Sequence, residues 1–137
     1  MPHSYCVDGT NVVRGSVGYG GPNFRLQEEA DTQRLVQAFG QLCNDLDGQI
    51  EVELYFDGAF RPLSSPAPNL RLRFTRETPA DDLILDRVRV TGGKVTVVTG
   101  DGELGRRISE EGARWLRVNP GTALESVLNA IERRFQC

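Results

Sequence analysis

Apolar positions in this chain fall into short dense runs separated by longer stretches with a helical period. Tyr5, Cys6 and Val7 follow one another before Asp8. Such a run lacks alternation and predicts a strand over Ser4 to Asp8 buried on both faces. From Ala30 to Asp47, Leu35, Val36, Phe39, Leu42, Cys43 and Leu46 recur at helical spacing, which predicts an amphipathic helix stopped at Gly48. Ile50, Val52, Leu54 and Phe56 then alternate with Glu51, Glu53 and Tyr55, giving a second strand that ends on Asp57-Gly58. Gly58 to Asn69 holds three prolines and no helical period. About a dozen residues is close to the minimum for a parallel crossover, so a tight one is expected.

Leu70, Leu72 and Phe74 alternate with Arg71 and Arg73, and a strand with one polar face is expected at a sheet edge. Thr78-Pro79-Ala80-Asp81 reads as a helix start, with threonine as N-cap, proline first in the helix and an acid in the first turn. That helix is expected to run to about Arg89. Val95, Val97 and Val98 predict a fourth strand closing on Thr99-Gly100-Asp101, with a short helix over Gly102 to Glu111. Trp115, Leu116 and Val118 mark a fifth strand, Asn119-Pro120-Gly121 a turn, and Leu124, Val127, Leu128, Ile131 and Phe135 a last helix.

Five strands alternating with helices predict an α/β fold: a three-layer α/β/α sandwich on a five-stranded, mostly parallel sheet, in one domain over residues 1–137. Arg14 to Glu29 begins with four glycines in eight residues (Gly15, Gly18, Gly20 and Gly21). It reads as a flexible segment leaving the carboxyl end of the first strand. Either it is a solvated loop, or it is a lid whose Arg14, Tyr19, Phe24 and Arg25 touch substrate.

In a parallel sheet the strand ends gather ligands and catalytic groups. Asp8, Asp57 and Asp101 each close a strand and precede a glycine, so all three should stand along one edge of the fold. Asp81 adds a fourth carboxylate, because at 100° per residue it heads the stripe of Ile84 and Val88 that faces the sheet. Asp82 lies instead on the stripe of Leu85, Asp86 and Arg89. Carboxylates crowded together repel unless a cation neutralises them. Thr10 and Thr99 could hydrogen-bond them into place, and Asn11 could orient a ligand or phosphate. Each acid also has a plainer explanation. Asp101 suits an N-cap, Glu103 the dipole of the following helix, Asp81 a capping interaction with Thr78, and Asp57-Gly58 an ordinary turn.

Composition narrows the chemistry. His3 is the only histidine, so a histidine-rich zinc site or a paired-histidine mechanism is poorly supported. Hard oxygen ligands suit Mg²⁺ or Mn²⁺. The net charge of −3 does not announce a nucleic-acid binder, so any basic surface must be local. Lys94 is the sole lysine, and arginine is the better bidentate phosphate partner. Cys6, Cys43 and Cys137 have neither paired nor metal-ligand spacing, which points to free thiols in a reducing compartment. No apolar run approaches the roughly 20 residues of a membrane span, and no secretory signal is visible. A cytoplasmic protein without membrane contact is expected.

Three ordered motifs carry a likeness to a known family: Val7-Asp8-Gly9-Thr10-Asn11-Val12, Phe74-Thr75-Arg76-Glu77-Thr78-Pro79-Ala80-Asp81-Asp82-Leu83-Ile84, and Val97-Val98-Thr99-Gly100-Asp101-Gly102-Glu103-Leu104. With Phe56-Asp57 as a weaker fourth, the chain resembles the NYN domains of the PIN-like nuclease superfamily, nearest the bacterial YacP-like branch. The resemblance implies strand order 3-2-1-4-5 and metal-dependent RNA cleavage by acids matching Asp8, Asp81 and Asp101, with Asn11 matching the asparagine of the first motif. Asp57, Asp82 and Glu103 compete for a further metal-binding acid. The implied chemistry is in-line attack of a water on a phosphodiester, leaving a 5′-phosphate and a free 3′-hydroxyl. Arg14, Arg73, Arg76, Arg106 and Arg107 are candidate RNA contacts, although Glu110 and Glu111 could pair with the last two. Gly100 departs from the pattern, standing where a small hydroxyl residue is common. Arg14 to Glu29 matches nothing in it. A ribosome, a protein partner or a second copy of the chain could supply the basic surface that this acidic chain lacks.

Two rivals remain at this point. Asp8-Gly9-Thr10 and Gly100-Asp101-Gly102 echo haloacid dehalogenase-type phosphatases, but Cys6 stands where those enzymes need the nucleophilic aspartate. A PIN-like module that binds RNA or protein without cutting it is the other. A binding role alone would not require a carboxylate cluster that repels phosphate.

Overall fold

The computed structural model describes residues 2–16, 24–58, 62–118 and 124–135, with the backbone alone at 14–16 and 24–25. The chain order is β1 (His3–Asp8), α1 (Gly9–Ser16), α2 (Phe24–Asp45), β2 (Ile50–Phe56), β3 (Leu70–Phe74), α3 (Ala80–Val90), β4 (Thr96–Thr99), α4 (Gly102–Glu110), β5 (Arg114–Arg117) and α5 (Leu124–Arg133). The strands form one sheet in the order β3-β2-β1-β4-β5, and every neighbouring pair is parallel. β1 is central, and the arginine-bearing β3 lies at an edge. This is the PIN-like α/β arrangement, with its strand order, that the sequence motifs imply.

Two apolar layers explain why the runs are dense. Tyr5 and Val7 of β1 pack with Val12 and Val13 of α1, Leu35 and Phe39 of α2, and Val127 and Ile131 of α5. On the opposite face, Cys6 packs with Ile84 and Val88 of α3, Val97 of β4, and Leu104 and Ile108 of α4. Helices cover both faces, so the central strands cannot alternate polar with apolar. Cys6 and Cys43 are buried free thiols and act as small hydrophobes. Among the described residues no helix is long and apolar enough to cross a membrane.

The structure departs from the expected elements in two places. Residues read as the start of a glycine-rich loop are helical: α1 follows β1 directly, and α2 begins at Phe24 rather than Ala30. Burial of Val12 and Val13 outweighs the weak helix propensity of the glycines. Residues 17–23 of the expected lid, including Tyr19, lie outside the described residues, as do the side chains of Arg14, Phe24 and Arg25 and the turn at 119–121. The second departure is the start of α3. Pro79 is its N-cap residue and no side chain caps it locally. Thr78 instead donates its N–H to the Thr75 carbonyl.

Candidate active site

The end of β1 organises the site. Asp8 is the last residue of the strand, still in register with Tyr55 of β2, and is only 3% exposed. Its carboxylate accepts the Asn11 backbone N–H, as the residue before a helix does, and also the Thr99 hydroxyl at 3.1 Å. These bonds favour the charged form but do not prevail. Burial first, then the negative charges of Asp81 and Asp57, push the Asp8 carboxyl up to about 7. Here is a carboxylate placed where its own charge is costly.

Thr99 ties β1 to β4. The fully buried Thr99 donates its hydroxyl to Asp8, and its oxygen accepts the Asp101 N–H at 3.1 Å. One proton serves one acceptor, so the 3.5 Å approach of Thr99 Oγ1 to Asn11 Oδ1 is a contact beside the real bond to Asp8. Asn11 Oδ1 has a better donor, the Gly100 N–H at 2.7 Å. Position 100 must be glycine for a reason visible only in three dimensions. A Cβ there would run into the Val118 carbonyl oxygen beyond β5 and press on Asn11 Oδ1. Thr99, one residue earlier, carries the hydroxyl that reaches Asp8.

Asp101 caps α4, its Oδ1 accepting from Glu103 N at 2.9 Å and Leu104 N at 3.3 Å. Asp57 plays the corresponding part for α3, its Oδ1 accepting the Ala80 N–H at 2.9 Å. The Asp57 N–H goes to Thr10 Oγ1 at 2.9 Å, so Thr10 holds the second strand end by its backbone and not by its carboxylate. Asp8 at the end of β1, Asp57 just after β2 and Asp101 two residues after β4 thus each serve a helix N-terminus. The capping and clustering explanations hold together, because helix starts and strand ends coincide in this fold.

Asp81, in the first turn of α3, joins the cluster from the side. Its carboxyl is raised by burial, by the charge of Asp101 and a hydrogen bond shared with it, then by Asp57 and Asp82. Asp82 is exposed and contributes repulsion only. Glu103 points into an exposed ion pair with Arg106 at 2.9 Å. Asp8 therefore feels the charge of Asp81 and Asp57, and Asp81 that of Asp101, Asp57 and Asp82. Among the described residues, no three acidic, histidine or cysteine side chains stand close enough together to hold one ion.

The candidate arginines separate clearly. Arg73 is bound to Glu53 at 2.6 Å, and Arg106 spans Glu103 and Glu110 at 2.9 and 2.8 Å. Arg107 is half-exposed on α4. Arg76 is exposed, with φ of 57° and its N–H on the Gly58 carbonyl at 2.8 Å, an uncommon backbone state for a residue with a side chain. The side chain of Arg14 lies outside the described residues. Sequence patterns missed the long-range pieces: the Asp57 cap on α3, 23 residues away, and the Asn11–Gly100 clamp, 89 residues away. The one signal for them was the three Asp-Gly steps at strand ends.

No family model matches the chain, and no curated protein matches it. Among solved structures, a point mutant of Rae1 (YacP) from Bacillus subtilis is similar to it with a TM-score of 0.64 and 21% identity, over 98% of this chain and 79% of that one. Another structure of Rae1 (YacP) from the same organism is similar with a TM-score of 0.64 and 21% identity, over 96% of this chain and 76% of that one. At this identity the likeness is one of fold, and the chain has a YacP-like fold.

Proposed function

We propose that this chain is a metal-dependent endoribonuclease that cleaves RNA phosphodiesters with Mg²⁺ or Mn²⁺. One observation carries the reading: Asp8 is buried at a strand end where other carboxylates make its charge unfavourable. A fold does not keep such a residue for stability alone, and a divalent cation would turn the repulsion into attraction. The donors are hard oxygens, which suits these ions. Asp8, Asp81 and Asp101 would hold the metal, with Asp57, Asp82 and Glu103 as further candidates. When bound, the ion supplies an activated water and neutralises charge on a phosphoryl oxygen.

The chain's own residues do the positioning. Thr99 fixes the Asp8 carboxylate and the Asp101 backbone together. Asn11, held by Gly100 through its oxygen, keeps its amide nitrogen available to a phosphate. Among the arginine candidates, Arg76 and Arg107 retain the most freedom to meet RNA, since Arg73 and Arg106 are held by glutamates. The YacP-like fold and the motif resemblance support the same reading. A non-catalytic RNA- or protein-binding module is the second reading, favoured by the capping duties of Asp57 and Asp101 and by the absence of three gathered ligands among the described residues.

Incubation of labelled RNA with Mg²⁺, Mn²⁺ or EDTA separates them. Cleavage that needs metal and is lost in Asp101→Asn is expected. Asparagine caps helices as well as aspartate, so that loss would report on metal and not on folding. Metal-independent cleavage, or unchanged cleavage in Asp101→Asn, would overturn the mechanism. Binding of RNA without any cleavage would support the second reading.

A further inference from the structure

One arginine outside the sequence motifs stands on the strand beside Thr99 and, among the described residues, is not held by a carboxylate. Arg117 ends β5 and pairs in register with Thr99 of β4, the residue that ties Asp8 to Asp101. Its partner among the described residues is the Trp115 ring, with the guanidinium carbon 5.2 Å from the ring centroid. The indole is itself anchored. Trp115 Nε1 donates to the Thr99 carbonyl at 3.0 Å, and the ring lies so close to Gly105 of α4 that a Cβ there would collide with it.

Register sets the level of Arg117. It stands beside Thr99, two residues before Asp101, while Gly100 lies against the Val118 carbonyl one residue further along. No ion pair joins Arg117 and Asp101 among the described residues. The result is an exposed cation at the rim, on the strand next to Thr99, one strand spacing of about 4.8 Å away.

We infer that Trp115 and Arg117 form a substrate-positioning step for single-stranded RNA. Arg117 takes a backbone phosphate next to the scissile one, and the half-exposed indole holds it there. The inference rests on the reading of the acid cluster as a site that acts on RNA. Charge complementarity argues for it: an acidic cluster alone repels a polyanion, and a cation pre-ordered on an aromatic ring loses little freedom on binding. A strand drawn across the sheet end from Asp8 to β5 would meet carboxylates first and then this guanidinium.

Trp115 is the sole tryptophan, so its emission reports on this position alone. Single-stranded RNA carrying a label for anisotropy would be titrated into the protein in EDTA and again with Mg²⁺, with tryptophan emission read in parallel. We expect emission to change along the same binding curve. Arg117→Ala should weaken binding roughly 5- to 20-fold and lower the salt slope by about 0.7, the value for one phosphate on a single strand. Arg117→Lys should restore the slope and part of the affinity. In metal-dependent cleavage, Arg117→Ala should raise KM with kcat nearly unchanged. Binding indifferent to Arg117→Ala, emission that stays flat while anisotropy rises, or no RNA binding at all would overturn the inference. RNA bound through Arg117 but never cut would sustain this surface and sink the nuclease reading. Cleavage with an indifferent Arg117 would do the reverse.

Discussion

The ends of β1 and β4 look alike in sequence and differ in the fold. Each strand leads to an aspartate followed by glycine, and each aspartate serves the helix that follows. Yet Asp8 is buried and its carboxyl is pushed up to about 7, while Asp101 is half-exposed. Register is the cause. β1 stays in its ladder through Asp8, between β2 and β4 at the centre of the sheet. β4 leaves its ladder at Thr99, two residues before Asp101. The same motif therefore supplies a buried, repelled carboxylate in one place and a partly solvated cap in the other. A site that must bind a cation needs the first, and one that must meet a solvated phosphate is well served by the second.

The sharpest test of this difference substitutes both positions. Asp8→Asn and Asp101→Asn should each lower metal-dependent cleavage by several kcal/mol of transition-state stabilisation, roughly 100-fold or more. Only Asp8→Asn should stabilise the metal-free protein, by on the order of 2–4 kcal/mol at pH 8, because it removes a buried charge and keeps an acceptor for Thr99. A thermal melt of both variants reads this. Equal shifts would break the comparison.

The pH dependence has a definite sign. The Asp8 carboxyl in the fold lies above its ordinary 3.8, so the folded state binds more protons than the unfolded state between 3.8 and about 7. Stability of the metal-free protein should therefore fall as pH rises through that window and level off above it. Asp81 is raised as well and adds in the same direction. Asp8→Asn should flatten the slope, and Mn²⁺ should raise the melting temperature more at pH 8 than at pH 5. A metal-free stability that climbs from pH 4 to 7 would contradict the charge assignment.

Thr99 joins the two ends, so Thr99→Val should damage both. It removes the donor to Asp8 and leaves the Asp101 N–H without its acceptor, a loss of about 1–3 kcal/mol measurable in urea unfolding. Cleavage should fall with it. A stability change confined to a few tenths would show that water replaces the hydroxyl. The smallest effect is expected at Arg106, whose exposed pairs with Glu103 and Glu110 contribute little. Arg106→Ala should leave the melting temperature unchanged within error, and a marked loss of RNA affinity there would move the RNA path toward α4.

Much of this molecule was determined by sequence alone. The dense run before Asp8 required a strand covered on both faces, the alternating arginines of β3 required an edge, and Asp-Gly steps after apolar runs placed acids at one end of a parallel sheet. These are local consequences of side-chain period and backbone sterics. The tertiary structure alone decided that Gly9–Ser16 is helical, because packing of Val12 and Val13 outweighs glycine propensity. It decided that Asp57 and not Thr78 serves α3, that Gly100 makes room for the Val118 carbonyl, and that Asp8 but not Asp101 is deeply buried. Each of these depends on which residues far apart in the chain meet at the sheet end. Burial and register, which set the cost of a charge, belong to the assembled sheet and to no single motif.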